Sequence, residues 1–288
     1  MTRASKITIL KYLVVVLYSV TVYGAYQFEH YQPYDDTRSY TCMQIANLIP
    51  DVLQDSLSSL PFQPLLQGIL SGVYPYEQYI IAEDASWILI KSTSSYAYLL
   101  GNNLKTQALD AILEYLTGYK SLVLICDESL QTYFMQHGFT PQPRMELMHD
   151  MSADMIQPSV LDNFTVQPLD VHLLKQSPWY GFLTTTIGGA QKFVDIAFGY
   201  AIVDAQGKSV AQAYGAFIGN GLCEVGIVTH PDYRGKGYII YPLYALMQEC
   251  LQRNLTPVWS CNTENKASFK TAVKFGFNVH RHYVFLKK

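Results

Sequence analysis

The sequence predicts an α/β fold in which helices flank a mixed sheet. Apolar runs of strand length alternate with runs whose apolar residues recur at helical spacing. Residues 122–139 and 257–277 also share one pattern, namely a strand, a cysteine, an acidic or amide residue, a helix and Gly-Phe. The repeat indicates two diverged copies of one fold. The alternative is coincidence, because strand–helix–glycine arrangements are common.

The elements before residue 150 follow from hydrophobic periodicity and from glycine and proline stops. Short apolar runs predict strands at 78–82, 87–91, 96–100, 122–126 and 145–148. The run at 122–126 is continuously apolar, as expected of a buried strand. Helical spacing predicts helices over 41–59, interrupted near Pro50, and over 105–116 and 128–137.

Residues 150–168 are polar and contain Pro158 and Pro168, so a linker is predicted at 151–168. Beyond it, strands are predicted at 192–203, 209–218, 222–229, 257–262 and 279–286, and helices at 238–253 and 264–275. Pro242 is compatible only with a first helical turn, which fixes that helix start near residues 238–239. The chain is therefore predicted to have four parts. These are an apolar N-terminal segment at 1–35, a first unit at 36–150, the linker at 151–168 and a second unit at 169–288.

Composition excludes several classes of protein. The chain has 288 residues, of which 49% are hydrophobic and 15% charged, so it is not disordered and can bury a large core. A net charge of −3 argues against nucleic-acid binding through bulk electrostatics. The five cysteines are widely spaced and lack metal-ligand spacing. They indicate buried thiols in a reducing compartment and no metal site.

Residues 12–28 form an uncharged apolar block preceded by Arg3, Lys6 and Lys11. As a helix these residues would span about 25 Å, short of a hydrocarbon core of about 30 Å. A signal peptide or membrane anchor is one interpretation. The others are an apolar segment docked on the protein and a start codon upstream of the true one.

The most informative stretch is residues 223–251, a strand, a turn, a basic glycine-containing loop and a helix. Its tetrapeptide Arg234-Gly235-Lys236-Gly237 would direct successive N–H groups toward an anion at a helix start. A solvated basic turn is the alternative. The P-loop and dinucleotide-binding glycine patterns are absent from the sequence.

In context this stretch resembles the GCN5-related N-acetyltransferase (GNAT) superfamily. The residues 229–233 (THPDY) lead into Arg234, Gly237 and Ile239, and the downstream pattern follows as Asn265, Ser268 and Gly276-Phe277. The resemblance covers about residues 160–288, while residues 60–150 resemble the degenerate first half of two-domain GNAT proteins. Glycine N-acyltransferases are similar to this tandem arrangement. The resemblance implies a tandem GNAT-like acyl-CoA N-acyltransferase fold, with a mixed, mostly antiparallel sheet.

The resemblance also implies acetyl-CoA as co-substrate and no metal. The pantetheine arm would lie along the strand ending at residues 227–229, and the pyrophosphate on the following loop. The implied binding residues are Ile227, Val228, Thr229, Arg234, Gly235, Lys236, Gly237, Tyr238, Ile239, Asn262 and Asn265. Residues 100–106 contain no equivalent loop, so the first half is expected to shape the acceptor pocket.

The sequence departs from the family pattern at two positions that bear on catalysis. The last loop position is Ile239 rather than glycine or alanine, and its side chain either crowds a phosphate or enters the core. The tyrosine that serves many relatives as general acid is replaced by Ala272. Glu224 is the candidate general base, acting through a water molecule, and a surface carboxylate is the alternative. His230 is predicted as a turn residue, and His280 and His282 as structural or acceptor-side residues.

The resemblance implies an N-acetyltransferase that acts by direct attack of a primary amine of a small-molecule or amino-acid-like acceptor. The alternatives are an N-acyltransferase using larger acyl-CoAs and a catalytically silent CoA-binding protein. Because CoA chemistry draws on the cytosolic pool, a cytoplasmic location is predicted. Membrane tethering through residues 12–28 is the alternative, and no nucleic-acid partner is expected.

Overall fold

In the computed structural model, the part of the chain that the structure describes contains twelve strands, which form one continuous sheet. The structure describes residues 13–14, 49–82, 84–152, 155–159 and 163–288. The strands are β1 (Leu13–Val14), β2 (Tyr76–Ala82), β3 (Ile88–Ser92), β4 (Tyr96–Leu100), β5 (Val123–Cys126), β6 (Thr140–His149), β7 (Phe164–Pro168), β8 (Gly199–Asp204), β9 (Ser209–Gly219), β10 (Leu222–Thr229), β11 (Thr256–Asn262) and β12 (Phe277–Lys287).

Helices cover both faces of this sheet. They are α1 (Gln54–Ser59), α2 (Gln63–Leu70), α3 (Thr106–Thr117), α4 (Glu128–Gln136), α5 (Val171–Leu174), α6 (Tyr180–Ile187), α7 (Ala190–Ile196), α8 (Ile240–Gln252) and α9 (Lys266–Lys274). Within the described residues, 3₁₀ turns occupy Asp51–Leu53 and Pro231–Tyr233. The helix α8 begins two residues before Pro242, so the proline lies in its first turn as predicted.

Two units of the same build lie side by side in the sheet. In the first, β2, β3 and β4 are antiparallel, and α3 connects β4 to the parallel strand β5. In the second, β8, β9 and β10 are antiparallel, and α8 connects β10 to the parallel strand β11. The predicted fold class, a mixed and mostly antiparallel sheet flanked by helices, is confirmed.

The two units exchange their last strands. The strand β12 lies between β5 and β6, and β6 in turn lies between β12 and β11. The ladder between β6 and β12 runs from Phe277↔His149 to Lys287↔Thr140, with a register shift between Val279 and Arg281. Both units therefore depend on the two central strands for their hydrogen bonds.

One hydrophobic core spans both units on the face of the sheet that we call the shared face. There α2 buries Leu65, Leu66 and Ile69 and contacts β9 of the second unit. Each such fully buried side chain stabilises the fold by about 1.5–3 kcal/mol. On the opposite face, α3 and α4 form one core, and α8 and α9 form another against β6, β10 and β11. The shared face is thus where residues of both units meet.

One predicted strand is wrong over half its length. Residues 192–203 were predicted as strand because their apolar residues are closely spaced, but Ala190–Ile196 is the helix α7 and β8 starts at Gly199. Gly188 and Gly189 adopt φ of +96° and +130°, which ends α6 and lets the chain enter α7. The helix buries Phe193 in the shared core, and this tertiary contact overrides the local pattern.

The segment 151–168, predicted as a linker, also contributes to the sheet. Its last residues, Phe164–Pro168, form β7 and pair with β8 at the sheet edge. The apolar block 12–28 lies outside the described residues except for the backbone of Leu13–Val14, which pairs with β2. In the part of the chain that the structure describes, no helix has both the length and the apolar character needed to cross a membrane.

Because the two units exchange their last strands, we expect that neither unit folds as a separate chain. The units are those expected from the sequence, residues 36–150 and 169–288. Residues 36–150 alone lack β12, so β5 and β6 would lose the strand that joins them. We expect no cooperative thermal unfolding of either fragment, and recovery of the transition when residues 36–150 and 151–288 are co-expressed. A cooperative transition for 36–150 as an isolated monomer would contradict this arrangement.

Candidate functional site

The strands β10 and β11 diverge in the middle of the second unit. Their parallel ladder extends from Leu222↔Thr256 only to Glu224↔Val258. Beyond this point β10 stays paired with β9 up to Thr229, and β11 stays paired with β6 up to Asn262. In the described part of the chain, residues 225–229 have no ladder partner on their β11 side. We call the opening between residues 225–229 and 259–262 the cleft.

A loop with unpaired backbone amides lies beyond the end of β10. The loop runs from Arg234 to Ile239 and leads into α8. Gly235 and Gly237 adopt φ of +74° and +78°, a conformation that glycine reaches without strain. Among the described residues, the N–H groups of residues 235–239 have no hydrogen-bond acceptor. Together with the positive end of the α8 dipole, amides in this arrangement are suited to binding an anion.

Contacts with neighbouring aromatic residues hold this loop in place. Tyr238 packs against Phe164 of β7 at 4.9 Å between ring centroids and against Tyr233 at 5.8 Å. The Nζ atom of Lys236 lies 5.4 Å from the centre of the Tyr233 ring. Arg234 Nε donates to the carbonyl oxygen of Thr229 at 3.2 Å. The loop is therefore anchored to the end of β10 and to the segment that was predicted as a linker.

The side chain of Ile239 enters the core. It packs against a small buried cluster formed by Ile202, Val210 and Ala211. The sequence left two orientations open for this side chain, toward the phosphate or into the core. The side chain takes the second orientation, which leaves the loop amides uncrowded.

The two candidate asparagines perform local structural roles. Asn262 ends β11, and its Oδ1 accepts from the N–H of Glu264 at 2.8 Å. Asn265 caps α9, where its Oδ1 accepts from the N–H of Ser268 at 3.1 Å. Asn262 therefore borders the cleft, while Asn265 lies in the exposed turn beyond it.

Glu224 lies at the foot of the cleft, where the two strands separate. Its side chain belongs to the shared face, because its ladder partner on β9 is the core residue Phe217. Glu224 is only 5% exposed, and its Oε2 atom has no hydrogen-bond partner among the described residues. It is therefore a buried carboxyl group and not a surface carboxylate.

Burial raises the pKa of Glu224 to about 8, and the nearby Glu146 carboxylate adds to the rise. Arg144 and Ser260 oppose it. A carboxyl group that titrates near pH 8 can exchange protons with an amine under physiological conditions. At neutral pH most molecules therefore carry the Glu224 proton, and a minority have the ionised carboxylate.

Residues of the exchanged strands surround Glu224, and the sequence did not point to them. Glu146 of β6 pairs with Arg281 of β12 at 2.7 Å and opposes Ser260 of β11 in the ladder. Two residues earlier on β6, the Nε atom of Arg144 donates to the hydroxyl of Tyr283 at 3.1 Å. The available signal was the alternation of Arg144 and Glu146 with the apolar residues Met145 and Leu147. The strand exchange that brings them to Glu224 was not visible in the sequence.

The remaining candidates have no comparable position. His230 caps the 3₁₀ turn, accepting from the N–H of Asp232 at 3.4 Å, which confirms it as a turn residue. Ala272, which stands where many relatives have the tyrosine, is buried against α8 and the sheet. His280 and His282 are exposed, and His282 opposes Met145 on the face away from Glu224. In the described ranges, no group of three or more His, Cys, Asp or Glu residues is arranged to hold a metal ion.

The raised pKa predicts a pH-dependent stability. Folded protein retains the Glu224 proton up to about pH 8, whereas an ordinary glutamate loses it near 4.5. Its contribution to the free energy of unfolding therefore falls as the pH rises through this window, by up to about 1.4 kcal/mol per pH unit. We expect Glu224→Gln to gain stability relative to wild type between pH 5 and pH 8 in urea titrations.

Glu146→Gln is the matched control, because it removes the partner of Arg281. This variant should be destabilised at pH 5 as well as at pH 8. Parallel pH curves for wild type and Glu224→Gln would show that Glu224 is ionised in the folded protein.

Comparison with known proteins agrees with this geometry. A sequence model of the family described as GNAT acetyltransferase matches residues 79–286. A curated relative, the uncharacterized N-acetyltransferase YdfB of Bacillus subtilis, is 27% identical over 92 residues, which are 32% of this chain and 35% of the relative. The aligned region thus spans about a third of that relative.

Solved structures show the same fold. A GCN5-related N-acetyltransferase-like protein from Streptococcus suis superposes with a TM-score of 0.64 at 17% identity, over 83% of this chain and 100% of the other. A tandem GNAT protein from the clavulanic acid biosynthesis pathway gives 0.58 at 12% identity, over 89% and 97% of the two chains. Because the family model matches well over half of the chain, the protein belongs to the GNAT acetyltransferase family of acyltransferases.

Proposed function

We propose that the protein transfers an acetyl group from acetyl-CoA to a primary amine of a small-molecule or amino-acid-like acceptor. The observation that carries this proposal is the divergence of β10 and β11 directly above a buried carboxyl group whose Oε2 atom has no hydrogen-bond partner in the part of the chain that the structure describes. The open strand edge accepts an extended arm, and Glu224 at its foot accepts a proton.

Acetyl-CoA fits the two features that flank the cleft. Its pantetheine arm carries amide groups, which can pair with the free edge of residues 227–229 as an added strand does. Its pyrophosphate is a match for the unpaired amides of residues 235–239, with Arg234 and Lys236 adding positive charge. Asn262 and Asn265 are proposed to lie near the thioester and pantetheine. This assignment uses every binding residue that the sequence predicted.

The proposed chemistry is a direct transfer. Glu224 takes one proton from the acceptor ammonium group through a water molecule, which leaves a nucleophilic amine. The amine nitrogen attacks the thioester carbonyl, the N–C bond forms and the C–S bond breaks. The second proton leaves the nitrogen and neutralises the CoA thiolate. The cleft contributes by holding both reactants in line.

We propose that both reactants bind mainly to residues 169–288. The first unit, residues 36–150, supplies Arg144 and Glu146 through its exchanged strand and helps to shape the acceptor side. We propose a cytoplasmic location, since the reaction needs the cytosolic CoA pool, with a small amine as partner.

Gly237→Glu tests the donor site. A carboxylate at this position faces the pyrophosphate, so we expect calorimetry to show no binding of acetyl-CoA. Gly221→Glu is the matched control, because Gly221 has φ +72° and similarly open surroundings at the other end of β10. Equal affinity of the two variants for acetyl-CoA would remove the loop from the proposed site.

Glu224→Gln tests the base. We expect kcat to fall by about 10²–10⁴-fold, as for loss of a general base. With an acceptor whose amine pKa lies above about 10, so that it stays an ammonium ion across the tested range, kcat/KM of the wild type should rise with pH and level off near pH 8, following the pKa of Glu224. The variant should lose this rise. An unchanged kcat would assign the proton to another group.

A further inference from the structure

Among the residues that the structure describes, Arg144 is the cation on the shared face whose role the proposed chemistry leaves open. It lies on β6, opposite Asn262 at the open end of the cleft and opposite Tyr283 on the other side. Its guanidinium carbon lies 4.8 Å above the centre of the Phe285 ring, and its Nε atom donates to Tyr283. These two contacts fix the plane of the guanidinium group.

The two terminal nitrogens of Arg144 are left for a ligand. Among the described residues, neither nitrogen has a hydrogen-bond acceptor, and no carboxylate lies within ion-pair distance. Arg281, two ladder positions away, contrasts with it. Arg281 binds Glu146 and the carbonyl oxygens of Ser59 and Leu60, so its donors are occupied. A guanidinium group whose plane is fixed and whose terminal nitrogens are unpaired is suited to bidentate hydrogen bonding with a carboxylate.

Glu224 and Arg144 lie on the same face without touching. Val258 is the ladder partner of Glu224, and Asn262, four residues further along β11, is the partner of Arg144. Four residues of strand span about 13 Å, so the two side chains approach the cleft from separate levels. They still act on each other, because Arg144 opposes the raised pKa of Glu224. A ligand with an amine at one end and an anion at the other would satisfy both groups.

We infer that the acceptor is an amino-carboxylate, such as an α-amino acid, whose carboxylate binds the terminal nitrogens of Arg144 while its amine reaches Glu224 through the water molecule proposed above. This inference rests on the proposed function and names its substrate class. Neighbouring rings support it, because Phe285 is packed against Tyr96 and Tyr283 at 5.7 and 5.2 Å. An ion pair formed beside such apolar surface is shielded from water and is stronger than one at the surface.

The test compares amino acids with the same molecules lacking the carboxylate, namely glycine with methylamine and phenylalanine with phenethylamine. Thiol release from acetyl-CoA gives kcat/KM for each member of a pair. We expect the wild type to favour the better amino acid over its amine by about 30-fold or more. In Arg144→Gln this ratio should fall toward one, mainly through KM. The ratio is the readout because loss of Arg144 also alters Glu224 and slows both substrates.

Two further variants separate recognition from structure. Arg144→Lys keeps the charge without the fork, so its ratio should lie between those of wild type and Arg144→Gln. Arg253→Gln removes an arginine that is likewise stacked on a ring, Phe198 at 4.3 Å, but lies at the end of α8. Its ratio should equal that of the wild type. An equal rate for amino acids and amines, or an equal loss of both in Arg144→Gln, would overturn the inference.

A binding measurement distinguishes failure of this inference from failure of the proposed function. Calorimetry is carried out with glycine, phenylalanine and the two amines on protein saturated with CoA. Binding of an amino acid that Arg144→Gln abolishes supports the carboxylate site even if no thiol is released. Thiol release from simple amines, with no amino acid bound, keeps the proposed function and overturns the carboxylate site.

Discussion

Each unit of this chain completes its sheet with the last strand of the other, so the ladder between β6 and β12 holds both units in one register. The strand β11 pairs on its other side with β6, from Val258 to Asn262. The ladder between β10 and β11 ends at Glu224, where the pairing of β10 with β9 shifts register between Glu224 and Val225. A strand contributed by the first unit therefore supports the β11 side of the cleft.

The same exchange determines the electrostatics of the site. It brings two glutamates onto one buried face, and their surroundings differ. Glu146 is paired with Arg281, whereas Glu224 is buried without a partner for its Oε2 atom, and burial raises its pKa. Unequal surroundings for two neighbouring carboxyl groups are a common basis for assigning acid and base roles. A site of this kind needs both units, which gives the degenerate first half a physical reason to be retained.

The sequence was sufficient for local features and insufficient for tertiary ones. Hydrophobic periodicity was enough to locate the strands β2 to β5 and β9 to β12. The glycine loop was identified because it follows the strand β10, and Glu224 because it lies within that strand. Residues 190–196 were misassigned because burial of Phe193, and not local pattern, makes them helical. Arg144 and Tyr283 were missed because their importance depends on ladder register between strands of different units, which no local pattern records.

A crystal structure of the protein with bound acetyl-CoA tests the central claim most directly. We expect the pantetheine arm between residues 225–229 and 259–262, the pyrophosphate on the amides of residues 235–239, and the thioester next to Glu224. We also expect β6 and β12 to remain exchanged between the units. Acetyl-CoA bound elsewhere, or strands β10 and β11 paired along their full length with no ligand between them, would contradict the proposed site.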